Sequence, residues 1–268
     1  FEKAIHYANK SLEVNAGNVN AHQILVLTYR LKQEKGKALA SLEKLQSLNP
    51  LNHFIRFEEY RLENSDANKN NFTTLIRNEM PHETYLQLAD WYFSAGQLRE
   101  CIEVLKLAPA NPEVYYWIAF LKNKLREGDA SEFIIKANNV SPEFVFPFRS
   151  NSAMVLNWVL SQTDNWKPRY YLGLIYWNRN NQQRTKELFT QCGNPDFAPF
   201  YAAFGAVTND ENYSNYLKKA SQHDPHQWRY GKLLIHHFIE HNKYEEALST
   251  AQNYQERFPQ DFRIKMLL

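Results

Sequence analysis

The sequence predicts an all-α chain, a right-handed superhelix of antiparallel helix pairs with one irregular break. Three observations predict it. A step of about 34 residues, room for two helices and two turns, links Ala4 to Ala38, Ala16 to Pro50 and Pro225 to Pro259. The 268 residues hold only eight glycines, few for a β-rich protein, and eleven prolines spread along the chain as regular stops. Between those stops the apolar residues recur at helical spacing, and such pairs bury their apolar faces only by stacking on neighbouring pairs.

The chain opens inside an amphipathic helix, FEKAIHYANKSL, without a start methionine, so a fragment of a longer protein is expected. Helix pairs are expected over 19–50, 53–80, 82–109 and 112–140, then over 166–193, 197–222 and 227–258, with half a pair at each end. The turns Asn49-Pro50, Asn111-Pro112, Ser141-Pro142, Asn194-Pro195 and Asp224-Pro225 each put a capping side chain before a proline suited to the first helical position. Each is expected to open a helix. Glu113, Glu143 and Asp196 then favour the positive end of the helix dipole.

SPEFVFPFRSNSAMVLNWVL, over 141–160, breaks the rhythm. Pro147 removes a helical donor and biases Phe146 away from helix. Phe144, Phe146 and Phe148 alternate as in an extended strand and are apolar enough to be expected inward, with Arg149 satisfying carbonyls at the break. The rival expectation makes 144–149, with Phe144, Phe146 and Arg149, a docking segment. A single helix over 150–162 follows, its Val155, Leu156, Val159 and Leu160 sharing one face. One continuous solenoid is therefore expected: helical repeats over 1–140, the break and a spacer helix over 141–165, and helical repeats over 166–268.

YYLGLIYW at 170–177, with Leu172-Gly173 and Tyr176, and Phe189 in the following helix, resemble the tetratricopeptide repeat superfamily. Arg169 stands at that signature's tryptophan and Thr185 at its packing alanine. SPEFVFPFR, VLNW, NWKPRYYLGLIYW and NPDFAPFYAAF are similar to bacterial proteins in which such an array follows a large β-rich domain of unknown function. That resemblance covers roughly residues 110 to 268 and implies the helical C-terminal half of something larger.

The 31 basic and 29 acidic side chains leave a net charge of +2, no global field for nucleic acid or an anionic membrane. The longest apolar runs, such as ILVL at 24–27, fall far short of the roughly 20 residues that span a bilayer. Cys101 and Cys192 lie on apolar helical faces and read as two buried thiols, which a reducing, cytoplasmic compartment allows. Neither a nucleic-acid nor a membrane partner is expected.

His237, Glu240 and His241 spell H-x-x-E-H, the inverted zinc-protease pattern, but the expected third ligand is missing downstream and the motif runs into a turn. No metal or cofactor is expected. The family resemblance implies instead a concave groove lined by the first helix of each pair. Its usual positions fall on Gln23, Leu27 and Arg30; Leu86, Asp90 and Phe93; Tyr170, Leu174 and Trp177; and Lys232, His236 and Ile239. Tyr170, Trp177, Trp117 and Phe93 offer rings that anchor a protein or stack on a sugar, although most aromatics in helical arrays fill the core. The expected function is a non-catalytic scaffold docking a protein partner or its own N-terminal β-rich domain. A carbohydrate-contacting accessory module is the alternative, and a zinc-dependent hydrolase the third reading.

Overall fold

The computed structural model describes residues 1–208 and 212–266, and these contain helices and turns but no strand. The helices are α1 (Glu2–Val14), α2 (Val19–Leu31), α3 (Lys35–Leu48), α4 (His53–Glu63), α5 (Asp66–Thr74), α6 (Pro81–Ser94), α7 (Leu98–Leu105), α8 (Pro112–Leu125) and α9 (Ser131–Asn139). After the break come α10 (Ser150–Leu160), α11 (Trp166–Asn178), α12 (Gln182–Thr190), α13 (Ala198–Thr208), α14 (Tyr213–His223), α15 (Trp228–Glu240), α16 (Tyr244–Arg257) and α17 (Phe262–Lys265). The fold is an all-α helical repeat. The chain divides into two units, one of residues 1–110 with 121–128, the other of 111–120 with 129–268.

Within pairs the reversal is made in one recurring way. Gln33, Asn64, Gly96, Arg126, Asn180 and Asn242 all take left-handed backbone angles just after the first helix of a pair. In five of these turns the following N–H reaches back to the last turn of the helix: Glu34 to Tyr29, Gln97 to Tyr92, Glu127 to Lys122, Asn181 to Tyr176 and Lys243 to Phe238, at 2.8–3.0 Å. This bond satisfies carbonyls that the helix end leaves open. Only Gly96 meets the geometry with a residue free of the left-handed penalty.

Helix starts are held mainly by asparagine. Asn18, Asn52, Asn111, Asn165 and Asn181 each accept a backbone N–H of the first turn, and Ser65 does the same. The proline turns behave differently from the sequence expectation. Only Pro112 opens a helix; Pro50, Pro142, Pro195 and Pro225 sit in the connections before α4, α10, α13 and α15. An additional proline, Pro81, starts α6.

Packing follows from residue size. A Cβ at Gly173 of α11 would stand 2.4 Å from the Phe189 ring of α12, and one at Gly231 of α15 would stand 2.3 Å from the Tyr254 ring of α16. The missing side chain is what lets each ring lie against the partner helix. At Thr185 and Cys101, where the second helix needs a small residue, the Thr185 hydroxyl and the Cys101 thiol each point at the carbonyl of the first helix, Gly173 at 3.3 Å and Ala89 at 3.2 Å. Both cysteines are buried and unbridged. Burial pushes the Cys192 thiol up to about 12 and Cys101 higher still, so both stay protonated and unreactive near neutrality.

Candidate functional site

The break lies where the sequence places it, but its side chains face the other way. No helix covers 140–149. Val145 and Pro147 are buried, whereas Phe144, Phe146 and Phe148 are 66%, 53% and 52% exposed. The expectation that the phenylalanines pack inward is therefore corrected: the alternation is present with the opposite parity. Val145 and Pro147 fill the interior, so every second side chain between them must point to solvent.

Both ends of this segment are tied to α11. Lys167, 7% exposed, donates to the carbonyls of Asn138, at 2.7 Å, and Val140, taking up acceptors left open by the end of α9. Burial lowers the Lys167 pKa. At the far end Arg179 donates to the Ser150 hydroxyl at 3.0 Å, joining the end of α11 to the first turn of α10. Arg149 is the N-cap residue of α10, and its guanidinium lies 4.4 Å from the centre of the Phe148 ring. Phe144 sits at φ 56°, a left-handed conformation that costs a bulky residue roughly 1–2 kcal/mol.

Between the segment and α11 is a cavity of about 310 Å³ bounded by Phe146, Pro147, Phe148, Leu174, Trp177 and Asn178. Leu174 and Trp177 are three residues apart and so share a helix face. The structure thus brings together Phe146, Leu174 and Trp177 of the sequence-derived candidates, with Arg149 beside Phe148. Phe148, Pro147 and Asn178 complete the wall. The place of Phe148 depends on the outward register of the break, which the sequence carries only as an alternation.

Other candidates sit elsewhere. Tyr170 is 3% exposed among Trp166, Phe189, Phe197 and Phe200, with ring centres 5.5–5.9 Å away, so it belongs to the core rather than to a groove. Trp117, Leu27 and Leu86 are also buried. Arg30 gives its guanidinium to Glu58, at 2.6 Å, and Glu100, at 3.3 Å. Asp90 and Phe93 are half-buried on α6, where the Lys124 ammonium lies 5.7 Å from the Phe93 ring centre. Lys232 and His236 are exposed on α15 and do not bound the cavity. In the H-x-x-E-H stretch the His237 and His241 rings are 4.2 Å apart, and His241 Nδ1 bonds to the His237 carbonyl at 2.8 Å. Burial, then the neighbouring His241, lowers the His237 pKa. Among the described residues, no three His, Cys, Asp or Glu side chains group as a metal site would require. No described helix is long and apolar enough to cross a membrane.

No protein-family model and no curated protein matches the chain. Among solved structures it is similar to residues 41 to the end of MamA from Desulfovibrio magneticus RS-1, with 16% identity, 67% of this chain and 97% of that chain covered, and a TM-score of 0.39. It is similar to pilF of Pseudomonas aeruginosa at 14% identity, covering 92% and 95%, with a TM-score of 0.33. It is also similar to YrrB, described as a TPR protein with an unusual peptide-binding site, at 12% identity, covering 83% and 95%, with a TM-score of 0.26. The chain's own geometry is an all-α array of helix pairs, with Gly173 of α11 packed against the Phe189 ring of α12.

Proposed function

We propose that the chain is a non-catalytic interaction scaffold whose aromatic cavity docks a protein surface. The β-rich domain implied by the sequence resemblance is the first partner to test. The outward register of Phe144, Phe146 and Phe148 is the observation that carries this reading. Three large apolar rings remain more than half exposed on a segment held at both ends, and apolar surface of this kind is characteristic of contact sites. Phe146, Phe148 and Trp177 are the anchors, Arg149 is the charged contact at the edge, and Phe144 extends the surface. Lys232 and His236 remain candidates for a separate contact.

The direct test is capture of the β-rich domain, supplied in trans, by the parent chain and by a Phe146→Ala/Trp177→Ala variant. Truncating a true anchor costs about 2 kcal/mol or more, roughly thirtyfold in affinity. The single Phe146→Ala change is expected to alter stability by no more than about 0.5 kcal/mol, as for an exposed residue. Unchanged capture by the folded double variant would remove these residues from the site. Binding of glycan in place of protein would support the carbohydrate-contacting alternative, and a large loss of stability in Phe146→Ala would restore a structural role.

A further inference from the structure

A different cavity, in the first unit, has a chemistry of its own. It measures about 360 Å³ and lies where the start of α2, the connection into α4 and the first turns of α6 meet. Asn20 and Gln23 come from α2, Asn49 and Asn52 from the connection, and Gln87 from α6. No Asp, Glu, Lys or Arg bounds it. His53 is at its edge; burial, then the nearby Arg56, lowers its pKa and keeps the ring neutral at pH 7. Trp91, Leu51 and Leu88 supply the apolar part of the wall.

Gln23 is the unusual member. It is 7% exposed, yet its carboxamide makes no hydrogen bond within the protein. Its polar atoms open onto the cavity and are not sealed from solvent. Asn20, Asn49 and Gln87 are exposed, with side chains that bond to no other protein group, whereas Asn52 is used as a helix cap. Each carboxamide offers one acceptor oxygen and two N–H donors. Four unused carboxamides around one cavity therefore provide mixed donors and acceptors at high density, with no formal charge.

That combination selects the ligand. A carboxylate or phosphate would find no cation in the wall, since the nearby Arg56 is turned to the carbonyls of Pro50 and Leu51, and an ammonium would find no anion, so either would lose its water without replacement. Hydroxyl groups donate and accept at one atom and match amides closely. A pyranose ring carries several of them around a body whose C–H face suits an indole. An extended peptide offers only one N–H and one C=O per residue and needs a long run of wall, whereas this is a bounded cavity at the small end of ligand sites, roughly 300–1,000 Å³. We propose that this cavity binds a neutral saccharide, its hydroxyls held by Asn20, Gln23, Asn49 and Gln87 and its ring laid against Trp91. The proposal is independent of protein docking at the other cavity.

Isothermal titration calorimetry of the whole chain tests it. The probes are glucose, galactose, mannose, N-acetylglucosamine and their β-linked disaccharides, with glucuronate, glucose 6-phosphate and an acetylated, amidated alanine tetrapeptide for comparison. Saturable binding of at least one neutral sugar is expected, weakened about tenfold or more in Gln23→Leu and in Trp91→Ala. The melting temperature of Gln23→Leu should equal or exceed that of the parent, because the amide has no protein partner to lose. Gln87→Leu, at an exposed position, gives a second variant with little risk to folding. The proposal is overturned if no neutral sugar binds, if a charged analogue binds more tightly than its parent sugar, or if the capped peptide binds instead. Binding unaffected by Gln23→Leu and Gln87→Leu, or a lowered melting temperature in Gln23→Leu, would overturn it equally.

Discussion

Replacing Glu58 with alanine is expected to destabilise the first unit by about 3 kcal/mol or more, the usual cost of breaking a buried ion pair from one side. Glu58 is fully buried on α4 and collects three donors. Arg30 Nε reaches one carboxylate oxygen at 2.6 Å, Arg30 Nη2 the other at 3.2 Å, and the Tyr92 hydroxyl donates to that second oxygen at 2.6 Å. Residues of α2, α4 and α6 thus meet on one carboxylate. Burial, then the Glu58 charge, pushes the Tyr92 hydroxyl well above its ordinary pKa, so it remains a donor. In Glu58→Ala, Arg30 keeps only Glu100 at 3.3 Å, and Tyr92 loses its acceptor. Urea unfolding followed by far-ultraviolet circular dichroism measures the loss. Arg30→Met/Glu58→Leu/Tyr92→Phe/Glu100→Leu, which removes the whole network including the Glu100 carboxylate that Arg30 also serves, should recover most of it. A loss below about 1 kcal/mol would place the carboxylate among ordinary hydrogen-bond acceptors.

Trp117→Ala should cost about 3–5 kcal/mol, the range for emptying a large aromatic site. The indole is fully buried on α8, and its Nε1–H donates to the Ser152 hydroxyl at 3.1 Å; that hydroxyl donates onward to Glu113 Oε1 at 2.6 Å. Volume and polarity separate in Trp117→Phe, which retains much of the ring and removes the N–H, for an expected loss of about 1 kcal/mol from the hydrogen bond with a smaller packing contribution. Thermal unfolding of both variants checks this. Equal losses in the two would mean that the chain from Trp117 through Ser152 to Glu113 outweighs packing.

The helix pairs were legible because apolar periodicity and small-residue spacing report burial directly, as at Gly173 and Phe189. The turns were less so. A left-handed reversal is read from sequence as glycine, yet Gln33, Asn64, Arg126, Asn180 and Asn242 adopt it; at Gln33, Arg126, Asn180 and Asn242 the closing hydrogen bond offsets a modest local cost, and asparagine at Asn64 tolerates the conformation itself. Pro50, Pro142, Pro195 and Pro225 suit helix starts by local preference, but the chain uses them within connections; Asn52 caps α4 after Pro50, whereas α10 and α15 begin without a side-chain cap. At the break, alternation sets a parity and leaves its sign to tertiary packing; Val145 and Pro147 took the interior. Gln23 was singled out by its groove position, whereas Asn49 and Gln87 join it only through folding. Nothing local distinguishes them from other surface amides in an asparagine-rich chain.

The stretch between α9 and α10 also bears on proteolysis. Proteases bind their substrates in extended form, and loops with accessible side chains are nicked before helices are. This stretch is non-helical and displays aromatic rings of the kind that chymotrypsin-like enzymes select. The bond after Phe146 is closed to them, because Pro147 follows it. Those after Phe144 and Phe148 are open, so a bound partner covering the aromatic cavity would register as protection at two neighbouring bonds, with the intervening proline junction silent throughout.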